Sequence, residues 1–512
     1  MVDFYNRTGV FVVKNYHRVA LIDREICAIS SVLWSFFCRN ILRDAKGVLG
    51  EKDKCLYLCA MLRRFTKYYK RILALALPVV LAQAGQLTTQ FADTAMVGNY
   101  GGEDPAPLAA VSLGGSLFLL IYLAALGLAL SITPIVGEHY ARGDRREVGR
   151  LFQNSALYCT IIGVVATAVA VALRPFIAVL GVWMSAPGQN IERVADMALP
   201  YYDMLVWSIL PLMLFLAVKQ FLEGIGNTKT AMWITLGGNA LNILLNYVFI
   251  FGHWGTEAMG AEGAGLATLI SRVAQTIAII VYYYSSRRLR IYRAFFERDA
   301  IRRSYLATLF RVGYPISFQM VLESAAFILT SILALSFGEV AAGSMQVTFS
   351  IANTAWMITV AIGSASTIVV SHLYGSGHRA ELRDTVAATY HLGLAWGVFM
   401  AMVFVLFREP LAAIFTENGE VIALSAQLMV LIAIYQFSDA IQGLSISMLR
   451  GLQDVKVIMP IVLVSYLGLN IPIGCWLAYG MDMGCHGLVT GLIVGLTSAA
   501  VMTFIRLRKH VR

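Results

Sequence analysis

Charge is scarce in this sequence. Asp, Glu, Lys and Arg make up 14% of its 512 residues and hydrophobic residues 58%, whereas a soluble globular protein carries about 25% charged residues. Too few polar side chains exist to cover a surface in water, so the chain needs lipid as solvent. Cysteine is thin as well. Four of the seven fall before residue 60 (Cys27, Cys38, Cys55, Cys59), and Cys159, Cys475 and Cys485 are scattered. No pair has metal-ligand spacing with a histidine partner, and no disulfide framework is implied. His391 stands alone in an apolar stretch, which suits a hydrogen-bonded core residue better than a ligand. No Ser-His-Asp or metal-His grouping emerges, so the chain reads as a non-enzyme without a cofactor. Gly224-Ile-Gly-Asn-Thr-Lys229 is glycine-rich but lacks the spacing of a phosphate loop and follows no strand.

Long apolar runs fill the chain instead. Each reaches about the 20 residues that a helix needs to cross the hydrocarbon core. The runs are too long and alternate too weakly for a β-barrel. They fall roughly at 70–97, 108–137, 151–173, 200–225, 229–252 and 261–285, then at 306–336, 340–373, 385–407, 421–449, 456–479 and 486–506. The expected fold is an all-α integral membrane protein with twelve transmembrane helices in two pseudo-symmetric six-helix bundles.

The two halves repeat each other at a distance of about 235 residues. Pro78 is matched by Pro315. The loop Tyr140-Ala-Arg-Gly-Asp-Arg-Arg-Glu147 is matched by Tyr374-Gly-Ser-Gly-His-Arg-Ala-Glu381. Gly224-Ile-Gly-Asn-Thr-Lys229 is matched by Gly451-Leu-Gln-Asp-Val-Lys456, and Gly260-Ala-Glu-Gly263 by Gly484-Cys-His-Gly487. A duplicated membrane half marks a transporter built from two similar bundles, and an even number of spans relates them by an axis along the membrane normal. The expected division is an N-terminal extension at 1–64, a first bundle at 65–286, a basic linker at 287–305 and a second bundle at 306–512. The first 60 residues have no counterpart in the second half. Met61 begins a basic segment suited to opening the first helix, so a start there is expected, with a peripheral extension as the alternative.

The net charge of +10 invites a nucleic-acid reading, which the positions refuse. One side of the membrane collects Arg142, Arg145, Arg146 and Arg150, the arginines between 287 and 303, and Arg506, Arg508, Lys509 and Arg512. The other has Arg174, Arg193 and Arg408 among acids such as Glu103, Asp104, Glu257, Glu417 and Asp482. The positive-inside rule makes the basic side cytoplasmic. Both ends of the core then face the cytoplasm, in the plasma (inner) membrane.

Ionisable groups inside a bilayer are costly and face a cavity or a partner. Asp93 and Asp203 lie toward outer helix ends, and Lys219 and Glu223 are four apart near an inner end, where they can pair. Glu323 and Asp439 sit near mid-membrane, about 15 Å or more from either surface, with no basic residue within one helical turn. Tyr435 shares a face with Asp439. A carboxyl so placed tends to hold a proton, while sodium would favour its ionised form. Asn242 and Asn246, four apart on one face, can support Asp93. Within the repeat the acids break the pattern. Glu323 falls opposite Gln86, which joins the N-terminal polar network of Asp93, Asn242 and Asn246, and Asp439 falls opposite an apolar stretch near Leu212.

Over about residues 65–510 the chain resembles the multidrug and toxic compound extrusion (MATE) transporters, NorM-type branch. Leu77-Pro-Val-Val-Leu-Ala-Gln83 followed by Phe91-Ala-Asp-Thr-Ala-Met-Val-Gly98 looks like that family's opening helix. Pro315-Ile-Ser-Phe-Gln-Met-Val-Leu-Glu323 is similar to its Glu-bearing helix, and Tyr435-Gln-Phe-Ser-Asp-Ala-Ile-Gln442 to its Tyr/Asp helix. The resemblance implies secondary active efflux of small organic, often cationic, compounds by antiport with Na⁺ or H⁺ and alternating access. It implies a coupling-cation site at Glu323, Tyr435 and Asp439 and a functional role for Asp93 with Asn242 and Asn246. The expected partners are these substrates and membrane lipid, with the protein a monomer. The alternative is a flippase of a lipid-linked precursor from the related superfamily, whose cleft would carry cations to hold phosphates.

Overall fold

In a computed structural model the described residues are 51–102, 104, 106–177, 191–293 and 301–511. The expected N-terminal extension lies outside them up to residue 50, and a helix runs from Glu51 through Met61. Residues 67–512 form one compact unit. Twelve helices among the described residues are long and apolar enough to cross a membrane. They are α1 (Arg64–Tyr100), α2 (Ala106–Ala141), α3 (Arg145–Leu173), α4 (Arg193–Gly224), α5 (Thr228–Phe251), α6 (Gly260–Ser285), α7 (Arg303–Leu335), α8 (Glu339–Ser376), α9 (Arg379–Leu406), α10 (Gly419–Gly451), α11 (Ile458–Gly480) and α12 (Cys485–Val511). No strand occurs among the described residues.

Several helices run past the apolar stretch into the basic loops, because backbone pairing continues where hydropathy ends. α3 begins at Arg145, not near 151, and Asp144 caps it by accepting from the Glu147 N–H at 3.2 Å. α5 is capped by Asn227 Oδ1, which accepts from the Thr230 N–H. Free N–H groups at a helix start are satisfied in this way by short polar side chains.

The repeat in sequence is a repeat in backbone. Gly143 (φ +79°) and its counterpart Gly377 (φ +74°) both turn left-handed, as do Gly260 and Gly484 (each φ +56°) and Gly226 (φ +83°) and Gln453 (φ +59°). Glycine enters this region freely; Gln453 is the one member of the six with a Cβ there. Gly263 lets α6 approach α5, since a Cβ would lie 2.8 Å from the Phe249 carbonyl carbon, and Gly487 does the same for α12 on α11, 2.5 Å from Ala478 N.

Prolines account for the interruptions in α2 and α4. α2 breaks at Leu130–Ser131 ahead of Pro134, and α4 breaks at Ser208 ahead of Pro211; a proline has no N–H for the carbonyl four residues back. α11 widens into π-helical turns over Leu463–Asn470 and Trp476–Gly480, whereas its counterpart α5 is regular.

The bundles meet near the middle of α2 and α7 and again at the basic side. Gly127 of α2 crosses α7 so closely that a Cβ would stand 2.3 Å from Ser317 Cα, and Ser317 Oγ donates to the Ala124 carbonyl at 2.7 Å. Lys67 pairs with Glu381 at 3.1 Å, Tyr69 Oη meets His391 Nδ1 at 2.8 Å and His372 Nε2 meets the Gly224 carbonyl at 2.7 Å. Gln453 donates to Glu138, and Tyr305 to Glu147. These links join α1, α2, α3 and α4 to α7, α8, α9 and the turn after α10, most of them near the ends that border the basic loops.

Candidate functional site

In the second bundle three helices converge on one carboxylate. Glu323 of α7 accepts from Tyr466 Oη of α11 at 2.9 Å through Oε1 and from Gln319 Nε2, one turn back, through Oε2. Gln319 Oε1 accepts from Arg450 Nη2 of α10 at 2.6 Å, and Gln442 Nε2 donates to Tyr466 Oη at 3.2 Å. Asp439 is 1% exposed and Tyr435 6%. Asp439, Glu323, Tyr435 and Tyr466 all lie within electrostatic reach of one another. The structure therefore brings Glu323, Tyr435 and Asp439 together.

The polar accounting there is uneven. Glu323 has both oxygens satisfied, while Asp439 Oδ2 is buried with no hydrogen-bond partner. On the same helices Gln436 Nε2 and Asn470 Nδ2 are also buried and unpartnered. An unpaired buried polar atom costs about 1–3 kcal/mol, and two neighbouring carboxylates cannot both ionise cheaply. Such a pair suits one proton or one small monovalent cation. No cluster of three or more His, Cys, Asp or Glu able to hold a metal ion occurs among the described residues.

Sequence reasoning finds no cation near these acids, and the structure corrects this. Arg450 is far from Glu323 along the chain but reaches it through Gln319, and its charge acts on Glu323. Tyr466 and Arg450 carry no local signal that names them. Gln319 does, being four residues before Glu323 on a helix.

The first bundle repeats the arrangement with other residues. Asp93 of α1 accepts from Asn246 Nδ2 of α5. With its amide turned, Asn242 donates to Asp93 Oδ1 at 3.2 Å. In each bundle the acid sits on the first helix and a polar partner on the fifth. Measured from the matched prolines, Asp93 lies seven residues farther along than Glu323, about 10 Å nearer the acidic side. Gln86 does not join: it is exposed, two turns from Asp93, and makes no side-chain hydrogen bond among the described residues. Asn239 stays apart too, its amide facing Gly85.

Arg272 of α6, inside an apolar run, is an ionisable group that hydropathy hides. Its guanidinium lies over the Phe118 ring at 5.1 Å, donates to Ser208 Oγ and acts on Asp93, Tyr122 and Tyr201. The other intramembrane charges resolve into pairs. Asp203 binds Arg174 at 2.9 Å and Lys219 meets Glu223 at 3.9 Å.

Comparison with known proteins agrees in extent with the duplicated core. The MatE family profile matches residues 78–248 and 315–476. A protein named probable multidrug resistance protein NorM from Shewanella oneidensis is 32% identical over 445 residues, covering 86% of this chain and 94% of that protein. A multidrug resistance protein NorM from Vibrio vulnificus is 30% identical over 454 residues, covering 87% and 96%. Among solved structures, a MOP superfamily transporter from Pyrococcus furiosus superposes with TM-score 0.75 at 21% identity, over 87% of this chain and 96% of that one. The Vibrio cholerae MATE transporter VcmN in its bent form superposes with TM-score 0.74 at 20% identity, over 88% and 98%.

Proposed function

The chain belongs to the MatE family, and from that premise we propose that it is a secondary active multidrug efflux transporter. It exports small organic, often cationic, compounds in exchange for inward Na⁺ or H⁺. The division proposed is a first bundle at 65–286, a basic linker at 287–305 and a second bundle at 306–512, acting as a monomer in the plasma (inner) membrane. The basic side faces the cytoplasm.

The observation that carries this reading is the buried acid pair Glu323 and Asp439 with one orphaned oxygen, Asp439 Oδ2. A proton or sodium ion arriving there supplies the missing partner, with Tyr435 as a neighbouring oxygen. Inter-bundle hydrogen bonds gathered on the basic side support a state closed toward the cytoplasm, in which the coupling ion enters from outside and the substrate leaves outward. Loss of the ion inside restores the orphan and resets the site. The cycle works because the ion binds the two states unequally, while the bundles rock about their shared axis.

The alternative, flipping a lipid-linked precursor, draws on Arg272 as a cation in the first bundle. Arg450 is a second cation, beside Glu323, but Asp93, Glu323 and Asp439 outnumber the two, and the named relatives are multidrug resistance proteins. Expression of Asp439→Asn and Glu323→Gln in drug-sensitive cells tests the assignment. Each variant is expected to reach the membrane and give no protection. Full protection by both would refute the site.

A further inference from the structure

The matched loops of the repeat, 140–147 and 374–381, play no part in cation exchange. In the folded chain they border one cavity of about 590 Å³ at the basic side, a volume within the usual range for small-molecule sites. Its walls come from both bundles. Arg71 of α1, Tyr140 of α2 and Arg145 of α3 line it from the first, and His372 and His378 from the second. Tyr292, in the short helix Arg290–Arg293, adds the linker. The cavity shares no residue with the Glu323 and Asp439 site or with the Asp93 network.

Positive charge there is uncompensated. Among the described residues neither Arg71 nor Arg145 makes a side-chain hydrogen bond or an ion pair. Arg71 lies within electrostatic reach of His372 and Glu381 without pairing with either. The two acids on the wall are engaged elsewhere. Glu381 takes Lys67 Nζ at 3.1 Å, and Asp144 accepts from the Glu147 N–H at 3.2 Å. Neutral donors are open as well. The Tyr140 hydroxyl has no hydrogen bond among the described residues, and its ring meets that of His372 with centroids 5.4 Å apart. His378 Nδ1 meets Ser376 Oγ at 2.8 Å, which leaves Nε2 for another partner.

The repeat is broken at this cavity. Asp144, which caps α3, is replaced in the second loop by His378, and α9 starts without a side-chain cap. Free N–H groups at a helix start, two guanidinium forks and a phenol together make a donor set for an oxyanion. A guanidinium matches two phosphate oxygens at once. We propose that the cavity binds a phosphate group, carried by an anionic lipid head group or by a small soluble phosphate. With Arg71 and Arg145 on one side and His378 on the other, the bound group bridges the bundles. It thereby favours the state closed at the basic side and slows transport from outside the transport path.

The test uses the full-length protein and two variants, the double change Arg71→Gln with Arg145→Gln, and His378→Asn at an exposed position. Inorganic phosphate is the soluble probe, and chloride at matched ionic strength is the control for screening. If the source is soluble, phosphate raises the melting temperature of the parent saturably, and the double variant needs about tenfold more of it. For the lipid source, nanodiscs of mixed phosphatidylglycerol and phosphatidylcholine are analysed by native mass spectrometry. If the source is lipid, the parent retains phosphatidylglycerol selectively and the double variant does not. His378→Asn gives a smaller loss in the same arm. Addition of the source so identified slows efflux of a fluorescent cation from proteoliposomes by the parent and not by the double variant. Efflux by both variants at the parent's rate without that source reports folded proteins. A parent that responds in neither arm, variants that match the parent in both, or parent efflux that the bound source leaves unchanged overturns the inference. Each of these results leaves the efflux reading standing, because it is tested at Glu323 and Asp439.

Discussion

Tyr466 donates its hydroxyl to Glu323 Oε1 at 2.9 Å, joining α11 to α7 inside the second bundle. Asn246 makes the corresponding link to Asp93 between α5 and α1. Duplication preserved the helix pair and changed the chemistry and depth of what each pair holds.

Tyr466→Phe removes one donor from Glu323 and little volume. A hydrogen bond to a charged group is worth about 1.5–3 kcal/mol, so the cation concentration for half-maximal efflux should shift by about tenfold or more. Efflux rates titrated against Na⁺ and against pH check this. An unshifted titration would remove Tyr466 from the site.

Asp93→Asn leaves the Arg272 charge without its nearby acid. Thermal unfolding in detergent should show a loss of stability that Arg272→Gln partly reverses in the double variant. Interacting neighbours couple by about 0.5–3 kcal/mol in such cycles; strict additivity would mean the two groups act separately.

Gly127→Val places a side chain against Ser317, where even a Cβ would be 2.3 Å from the backbone. Overpacking costs about 1–3 kcal/mol, enough to shift the population of this inter-bundle contact about fivefold or more. Efflux should fall while insertion persists. A Ser371→Cys probe, at a site 0% exposed, should gain reactivity toward maleimide.

Asp454, in the loop before α11, carries a pH-dependent contribution. Burial raises its pKa, but hydrogen bonds from Arg506 and His510 outweigh this and hold the carboxyl below its ordinary value. A depressed acid stabilises the fold above the unfolded value of about 4, and that contribution is lost as pH falls through the lower folded value. Asp454→Asn should therefore lower the melting temperature at pH 7, with the difference from the parent shrinking below about pH 4.

Hydropathy and loop charge are properties of the chain in one dimension, so the spans, their number and the two halves are readable before any folding. The meeting of Asp93 with Asn246 is readable too, because Asn242 and Asn246 share a helix face. Tyr466 and Arg450 are not. Their approach to Glu323 depends on how α7, α10 and α11 pack, and on the widened turns at Leu463–Asn470. Arg272 is hidden for another reason: Leu269-Ile-Ser-Arg-Val-Ala274 averages to an apolar segment, although one charge decides its chemistry. Gln86 is the opposite case. Its place opposite Glu323 in the repeat suggests a role, but its side chain is exposed and outside the network.

The most direct measurement is efflux of a fluorescent organic cation from proteoliposomes, with a Na⁺ gradient and a pH gradient imposed separately, for the parent and Asp439→Asn. The parent should accelerate under at least one gradient, and Asp439→Asn under neither. Gradient-driven efflux by Asp439→Asn at the parent's rate would contradict coupling through the buried acid pair.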